Sequence, residues 1–456
     1  MTTPSVRDSG ALPRRIGFWS AVAIVVGSTI GSGIFRTPAS VADRIPGPLP
    51  LIAVWVVAGI FALCGALTLA EVASILPRTG GFYAFLRDGW SRLLGFLFGW
   101  SQLVMVRAFA LGAIAITFSE YFLRVLGYDP TVAPYDRIAH YVAAVAIVLT
   151  ASFNIVGVRW GALVTNITTI GKFAGLSFVI VLALLIGLPN TGGHFTPATP
   201  PGSFAVGAFG LALVSCLWAY DGWGDLSYVA GEVQEPQRNL PRALIGGTLA
   251  VIGIYVLANL AYLAVLPVEQ IRTSKLVAAD VAQAVIGRPG AVLVSLTVMI
   301  STFGTLSAVL LTTPRILFAM ADDGLLFRPI AKVHPRYETP YMAIGLVAAL
   351  GAVFVLFFPF EQLADAFVTA MIPFYALGVA AVFPLRRRGA VSPYRTPGYP
   401  IVPLLFIASV AYLMINGLIA PEARTATVVI FAVILAGIPV YYMIDRRRHR
   451  ERTAGV

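Results

Sequence analysis

Two short stretches of this 456-residue chain could bind a small zwitterion through backbone atoms. One is Gly27-Ser28-Thr29-Ile30-Gly31-Ser32-Gly33-Ile34-Phe35; the other is Trp218-Ala219-Tyr220-Asp221-Gly222-Trp223-Gly224-Asp225. Each lies mid-way along an apolar run, where a glycine costs a helix about 1 kcal/mol against alanine. Each should therefore break its helix. A helix that stops leaves carbonyls unpaired, and one that starts leaves free N–H groups beside the positive end of its dipole. The N–H groups of Ser32, Gly33 and Ile34 can then point at an anion. The carbonyls near Val26, Gly27, Trp218 and Asp221 can accept from an ammonium, and glycine lets a carboxylate come close to the backbone. Two charged side chains stand out because they sit inside apolar runs, Arg107 and Lys172. A lysine or arginine in hydrocarbon is costly and by default functional.

The elements that must position these groups are membrane helices. The chain is 58% hydrophobic and 12% charged, with mean hydropathy +0.85. A soluble globular protein carries about 25% charged residues. A span needs about 20 mostly apolar residues, and such stretches occur near 17–35, 49–70, 93–123, 139–155, 161–188 and 206–230. Six more occur near 243–266, 291–320, 342–358, 363–384, 401–419 and 427–444, which predicts twelve spans. With the amino end inside, the inner segments hold 22 of the 32 lysines and arginines and the outer segments 8. That asymmetry is the positive-inside rule. It assigns the net charge of +11 to topology and anionic lipid rather than to nucleic acid, and it places both termini in the cytoplasm.

Interrupted spans one and six occupy matching places in two five-span blocks, the mark of an inverted repeat. The chain then divides into an amino-terminal segment 1–16, a first repeat 17–188, a second repeat 204–385, two appended helices 399–444 and a basic tail 445–456. No phosphate-binding GxxxxGK[ST] motif occurs, so no ATP site is expected. HExxH, paired intramembrane carboxylates and a serine–histidine arrangement are absent, so the chain does not read as an enzyme. Neither a cofactor nor a metal site is expected. Cys64 and Cys216 lie in apolar spans and offer no disulfide framework.

Several motifs resemble the amino acid–polyamine–organocation superfamily, and within it the bacterial relatives of the L-type amino acid transporters. They are the GSGIF of span one, PRTGGFYAFL at 77–86, Arg107, WAYDGW at 218–223 with EVQEPQRNLPRAL at 232–244, and HPRYETP at 334–340. The resemblance runs from Arg14 through the last span. It implies an all-α membrane protein with the leucine-transporter fold, alternating access, and an amino acid held midway through the bilayer. It also implies that Thr29, Ile30, Ser32, Gly33, Trp218, Ala219 and Asp221 line the substrate site, with Ile34 adding its N–H. Trp218 stands at the place of a gate phenylalanine, and its bulk argues for small or medium neutral side chains. Asp221 is either a further amine contact or an acceptor capping the broken helix.

In the family, a lysine at the place of Lys172 occupies the position of a sodium ion. Its ammonium would bridge Gly27 at the first break to Ser301, Thr302 and Thr305 on span eight, which removes the need for sodium and leaves proton coupling open. Arg107 and Tyr220 are assigned structural or gating roles. Glu71 and Glu232 are assigned to gate or loop ion pairs, and Asp225 to capping the helix that follows. Segment 124–137 holds no cysteine, so no disulfide-linked glycoprotein subunit is expected, and a bacterial inner membrane is the implied home. The alternatives are a polyamine or cationic amino acid carrier, and a non-transporting amino acid receptor of the same fold.

Overall fold

The computed structural model describes residues 14–77, 80–156, 171–326, 330, 332, 334–337 and 339–453. The first part of the fifth predicted span, 161–170, lies outside them, as do residues 1–13 and parts of the PRTGG and HPRYETP motifs. Among the described residues, sixteen helices follow in order. They are α1 (Phe18–Thr29), α2 (Gly33–Arg44), α3 (Pro48–Ile75), α4 (Phe82–Gly89), α5 (Arg92–Val125), α6 (Tyr135–Val156), α7 (Gly171–Thr191) and α8 (Val206–Tyr220). After a 3-10 segment, Asp225–Glu232, come α9 (Pro236–Val265), α10 (Val268–Thr273), α11 (Val277–Ile286) and α12 (Arg288–Asp322). The last four are α13 (Tyr341–Phe357), α14 (Phe360–Arg387), α15 (Ile401–Ile419) and α16 (Pro421–Thr453).

Among the described residues, ten helical segments are long and apolar enough to cross a membrane. The bent pair α1–α2 makes an eleventh if it is one span. Helix α13 is apolar but has 17 residues, about 25 Å at 1.5 Å per residue, just short of the ~30 Å hydrocarbon core. Twelve spans were expected; the structure supports about ten. Both predicted interruptions are present. The first falls at Ile30–Ser32, where the axes of α1 and α2 differ by 43°. The second falls at Asp221–Gly224, beyond which the chain continues as a 3-10 segment.

The broken elements are held from two sides. Helix α9 packs along both α1 and α3, and α5 packs against α6, α12, α13 and α14. The last two helices stay most open, with Leu404, Leu405, Val428 and Val429 facing outward, as hydrocarbon allows. One end of the bundle gathers Arg15, Gly80 and the 225–234 segment. Arg15 and Ile16 donate N–H to the Glu232 carbonyl at 2.8 and 2.9 Å, Gln234 donates to the Ile16 carbonyl at 2.9 Å, and Gly80 donates to the Tyr228 carbonyl at 3.2 Å. Tyr441 near the end of α16 meets Phe96 near the start of α5 at 5.5 Å, which brings the carboxyl-terminal side to the same end. This is the termini end; α2, the finish of α5 and the start of α14 lie towards the far end.

Candidate functional site

The two breaks cross each other through a pair of glycine contacts. A Cβ on Gly33 would lie 2.5 Å from the Ala219 Cα, so only glycine lets α2 start against the end of α8. Reciprocally, Gly222 has φ +110°, and a Cβ there would lie 2.8 Å from the Ser28 carbonyl carbon and the Thr29 nitrogen. The close approach expected of Gly33 is thus made to Ala219. Gly31, between them, is different: a Cβ there meets nothing within 4 Å. The open side of the first break is at Gly31.

The backbone groups freed by the breaks are partly spoken for. Tyr255 on α9 places its hydroxyl 2.8 Å from the Thr29 carbonyl and 2.9 Å from the Ala219 carbonyl, bridging both breaks. Tyr262, seven residues on and on the same helix face, donates to the Ile34 carbonyl at 3.3 Å, and Tyr121 on α5 donates to the Phe35 carbonyl at 3.3 Å. The Thr29 hydroxyl returns to the Val25 carbonyl at 2.8 Å, and the Ile30 N–H goes to the Val26 carbonyl at 2.9 Å. Ser32 is the capping residue of α2 but its side chain makes no cap; the Phe35 N–H goes to the Ser32 carbonyl at 3.2 Å, and the Gly33 and Ile34 amides have no backbone acceptor among the described residues. They form the electropositive group of the site.

Lys172 is buried, and its ammonium donates to the Gly27 carbonyl at the end of α1. It is not joined to α12 by any hydrogen bond among the described residues. Thr302 donates to the Val298 and Met299 carbonyls of its own helix at 2.8 and 3.0 Å, and Thr305 to Ser301 at 3.0 Å. The Ser301 hydroxyl is buried with no partner among the described residues.

Trp218 is buried edge-on against Phe367, 5.0 Å between centroids, and Phe360, at 6.2 Å, both on α14. Tyr220 donates to the Trp55 carbonyl at 3.0 Å and anchors α8 to α3. Asp221 accepts the Tyr375 hydroxyl from α14 and borders a small pocket lined by Phe61, Trp223, Met371 and Phe406. Asp225 stands in the first turn of the 3-10 segment and makes no capping hydrogen bond among the described residues. Arg107 follows a π turn, Gln102–Val106, and shares a cavity of about 200 Å³ with Ser28 and Asp225.

Two features escaped the sequence reading. Glu71 is buried and accepts Arg386 at 2.7 and 2.8 Å, the Thr396 N–H at 2.7 Å and its hydroxyl at 2.6 Å, tying α3 to the α14–α15 link. It was read as an ion-pair member, but not as this hub. Towards the far end, Arg36 lies 3.3 Å from Glu120 and 3.0 Å from Glu361, and over the Phe360 ring at 5.1 Å. Lys275 reaches Glu120 at 3.8 Å, and Arg44 pairs with Asp365 beside Ser215.

A multi-pass helical bundle with two crossed broken helices, buried backbone donors at their junction and no cluster of metal-type ligands among the described residues has the build of a membrane transporter. The particular family follows from comparison: residues 16–439 match the amino acid permease family, and the chain belongs to it. It is a transporter and not an enzyme. The chain is 31% identical to the serine/threonine exchanger SteT of Bacillus subtilis, over 97% of this chain and 99% of that one. It is 28% identical to the human b(0,+)-type amino acid transporter 1, over 95% and 88%. It is 30% identical to the mouse large neutral amino acids transporter small subunit 2, over 97% and 83%.

Proposed function

We propose that this protein exchanges small and medium neutral L-amino acids across the cell membrane by alternating access and without sodium. The observation that carries the reading is the junction of the breaks. The Gly33 and Ile34 amides at the start of α2 suit a carboxylate, and the second lone pairs of the carbonyls at the ends of α1 and α8 suit an ammonium. The opening at Gly31 leaves room for the amino acid backbone beside Thr29, Ile30, Ser32, Trp218 and Ala219. Lys172 on the Gly27 carbonyl supplies a fixed positive charge, which supports independence from sodium. A serine/threonine exchanger at 31% identity over nearly the whole of both chains supports exchange and small side chains. Asp221 is engaged by Tyr375, which favours its role as a structural acceptor over a second amine contact. The termini end is cytoplasmic on this reading, α1 to α7 and α8 to α14 form the two repeats of a twelve-span chain, and no partner subunit is needed.

The test is uptake into liposomes of purified protein, preloaded or empty, with each amino acid, with sodium or choline, and with or without a pH gradient. Uptake of serine, threonine or alanine that needs internal amino acid and survives choline is expected. Uptake that vanishes in choline would remove the assignment of Lys172, and absence of uptake for every amino acid would remove the transport reading.

A further inference from the structure

The cavity beside the breaks towards the termini end has a lining that the crossed-break site does not need. It holds about 200 Å³, room for a small amino acid, and is walled by Ile24, Ser28, Gly80, Arg107, Asp225 and Tyr228 among others. Arg107 comes from mid-α5 directly after the π turn, a local widening that re-aims the residues after it and recurs at functional sites. Its Nε is buried without a hydrogen-bond partner, and Arg107 forms no ion pair among the described residues. An arginine at membrane depth normally finds a carboxylate or carbonyl cluster. Asp225 lines the same cavity from the 3-10 segment, beside Ser28 from the first break. One cation and one carboxylate thus face a common space without closing on each other.

We propose that this cavity is a second amino acid site, on the route between the breaks and the termini end. Arg107 takes the substrate carboxylate and Asp225, beside Ser28, takes its ammonium. The apolar walls at Ile24, Val229 and Ile316 receive the side chain. The α-amino acid zwitterion is the ligand class because its two charges are a few ångströms apart and of the signs the cavity presents. A lone amine or a lone carboxylate would leave one wall charge unpaired. The proposal rests on the transport reading above and adds to it a binding step at this end.

The experiment measures L-serine half-saturation separately from each face of vesicles of known orientation, for Arg107→Gln, Asp225→Asn, Arg107→Lys and the double variant Arg107→Gln/Asp225→Asn. Losing one charge-assisted contact should raise half-saturation at the termini face roughly ten-fold or more. Half-saturation at the far face should hold, and Arg107→Lys should retain much of the affinity. The double variant should be as impaired as the worse single one. At the termini face, ethanolamine and 3-hydroxypropionate, serine without its carboxylate or its ammonium, should compete poorly with L-serine.

If the two charges served only to balance each other, the double variant would recover, and that would overturn the proposal. Equal shifts at both faces, or none, would overturn it too while leaving exchange itself intact. If the unaltered protein exchanged no amino acid, the transport reading would fail first. A variant that failed to fold would show as lost monodispersity, and the comparison with Arg107→Lys would then decide.

Discussion

Among single residues, the glycines of the breaks act in distinguishable ways. Gly222 adopts a positive φ and touches the Ser28–Thr29 backbone, so Gly222→Ala meets both backbone strain and a clash. Strain of this kind costs on the order of 1–3 kcal/mol. A lower melting temperature and lost exchange are expected, read by thermal unfolding in detergent. Gly31→Ala meets no atom within 4 Å and should melt normally, while weakening serine binding by crowding the opening. Equal melting of the two variants would show that the crossing of the breaks does not depend on Gly222. Tyr255 offers a second test at this scale. Its hydroxyl joins the Thr29 and Ala219 carbonyls, so Tyr255→Phe leaves buried carbonyls with one donor fewer. A net loss of about 0.5–1.5 kcal/mol in the bridged state is expected, seen as slower exchange by a protein that still folds. The sequence placed the breaks because glycine and polar residues in an apolar run have few other uses. It did not reveal Tyr255, since a tyrosine in such a run reads equally well as packing. The available signal was the Tyr255/Tyr262 spacing of seven, which puts two hydroxyls on one face of α9.

Among elements, the ring contacts between α8 and α14 define how the second break is covered. Trp218 stands two residues before the end of α8, with Phe360 and Phe367 of α14 edge-on to it. Trp218→Ala removes roughly 150–250 Å² of aromatic surface and loosens α8 from α14. Small substrates should bind more weakly, and leucine or phenylalanine should gain relative to alanine in competition assays in liposomes. An unchanged ranking with intact flux would confine Trp218 to packing. The same scale explains why contacts between distant helices were hidden in the sequence. Glu71 and Arg386 are 315 positions apart, and nothing in either local pattern names the other. Each is readable only as an expensive charge near a span end. Likewise the α12 hydroxyls at 302 and 305 looked like ligands for Lys172, yet a threonine in a helix has its own preceding carbonyls in reach. That local alternative wins here.

For the whole molecule, the two ends of the bundle are held by different means. At the termini end the strap formed by Ile16 and Glu232–Gln234 uses backbone hydrogen bonds, and Ser28 remains exposed. Towards the far end a continuous series runs from Trp218 to Phe360, then to Arg36, Glu120 and Lys275. Glu120 and Arg36 are almost wholly buried, so their charges depend on each other. Removing one partner of a buried pair costs about 3–5 kcal/mol when the other charge is left uncompensated; Arg36 keeps Glu361 at 3.0 Å, so the loss here is a fraction of that. Glu120→Gln should therefore destabilise the conformation seen here relative to one open at the far end, where Arg36 can reach water. Cysteine labelling reads this directly. The natural Cys64 and Cys216 are buried, and both can be replaced by alanine before probes are introduced. A cysteine at Thr37, 1% exposed in this conformation, should be modified faster in Glu120→Gln, and one at Ser28 more slowly. Alternating access requires the two rates to move in opposite directions, since one conformational equilibrium governs both. Rates that rise together would mean that Glu120 supports local packing, and that the far-end series does not couple to the other face.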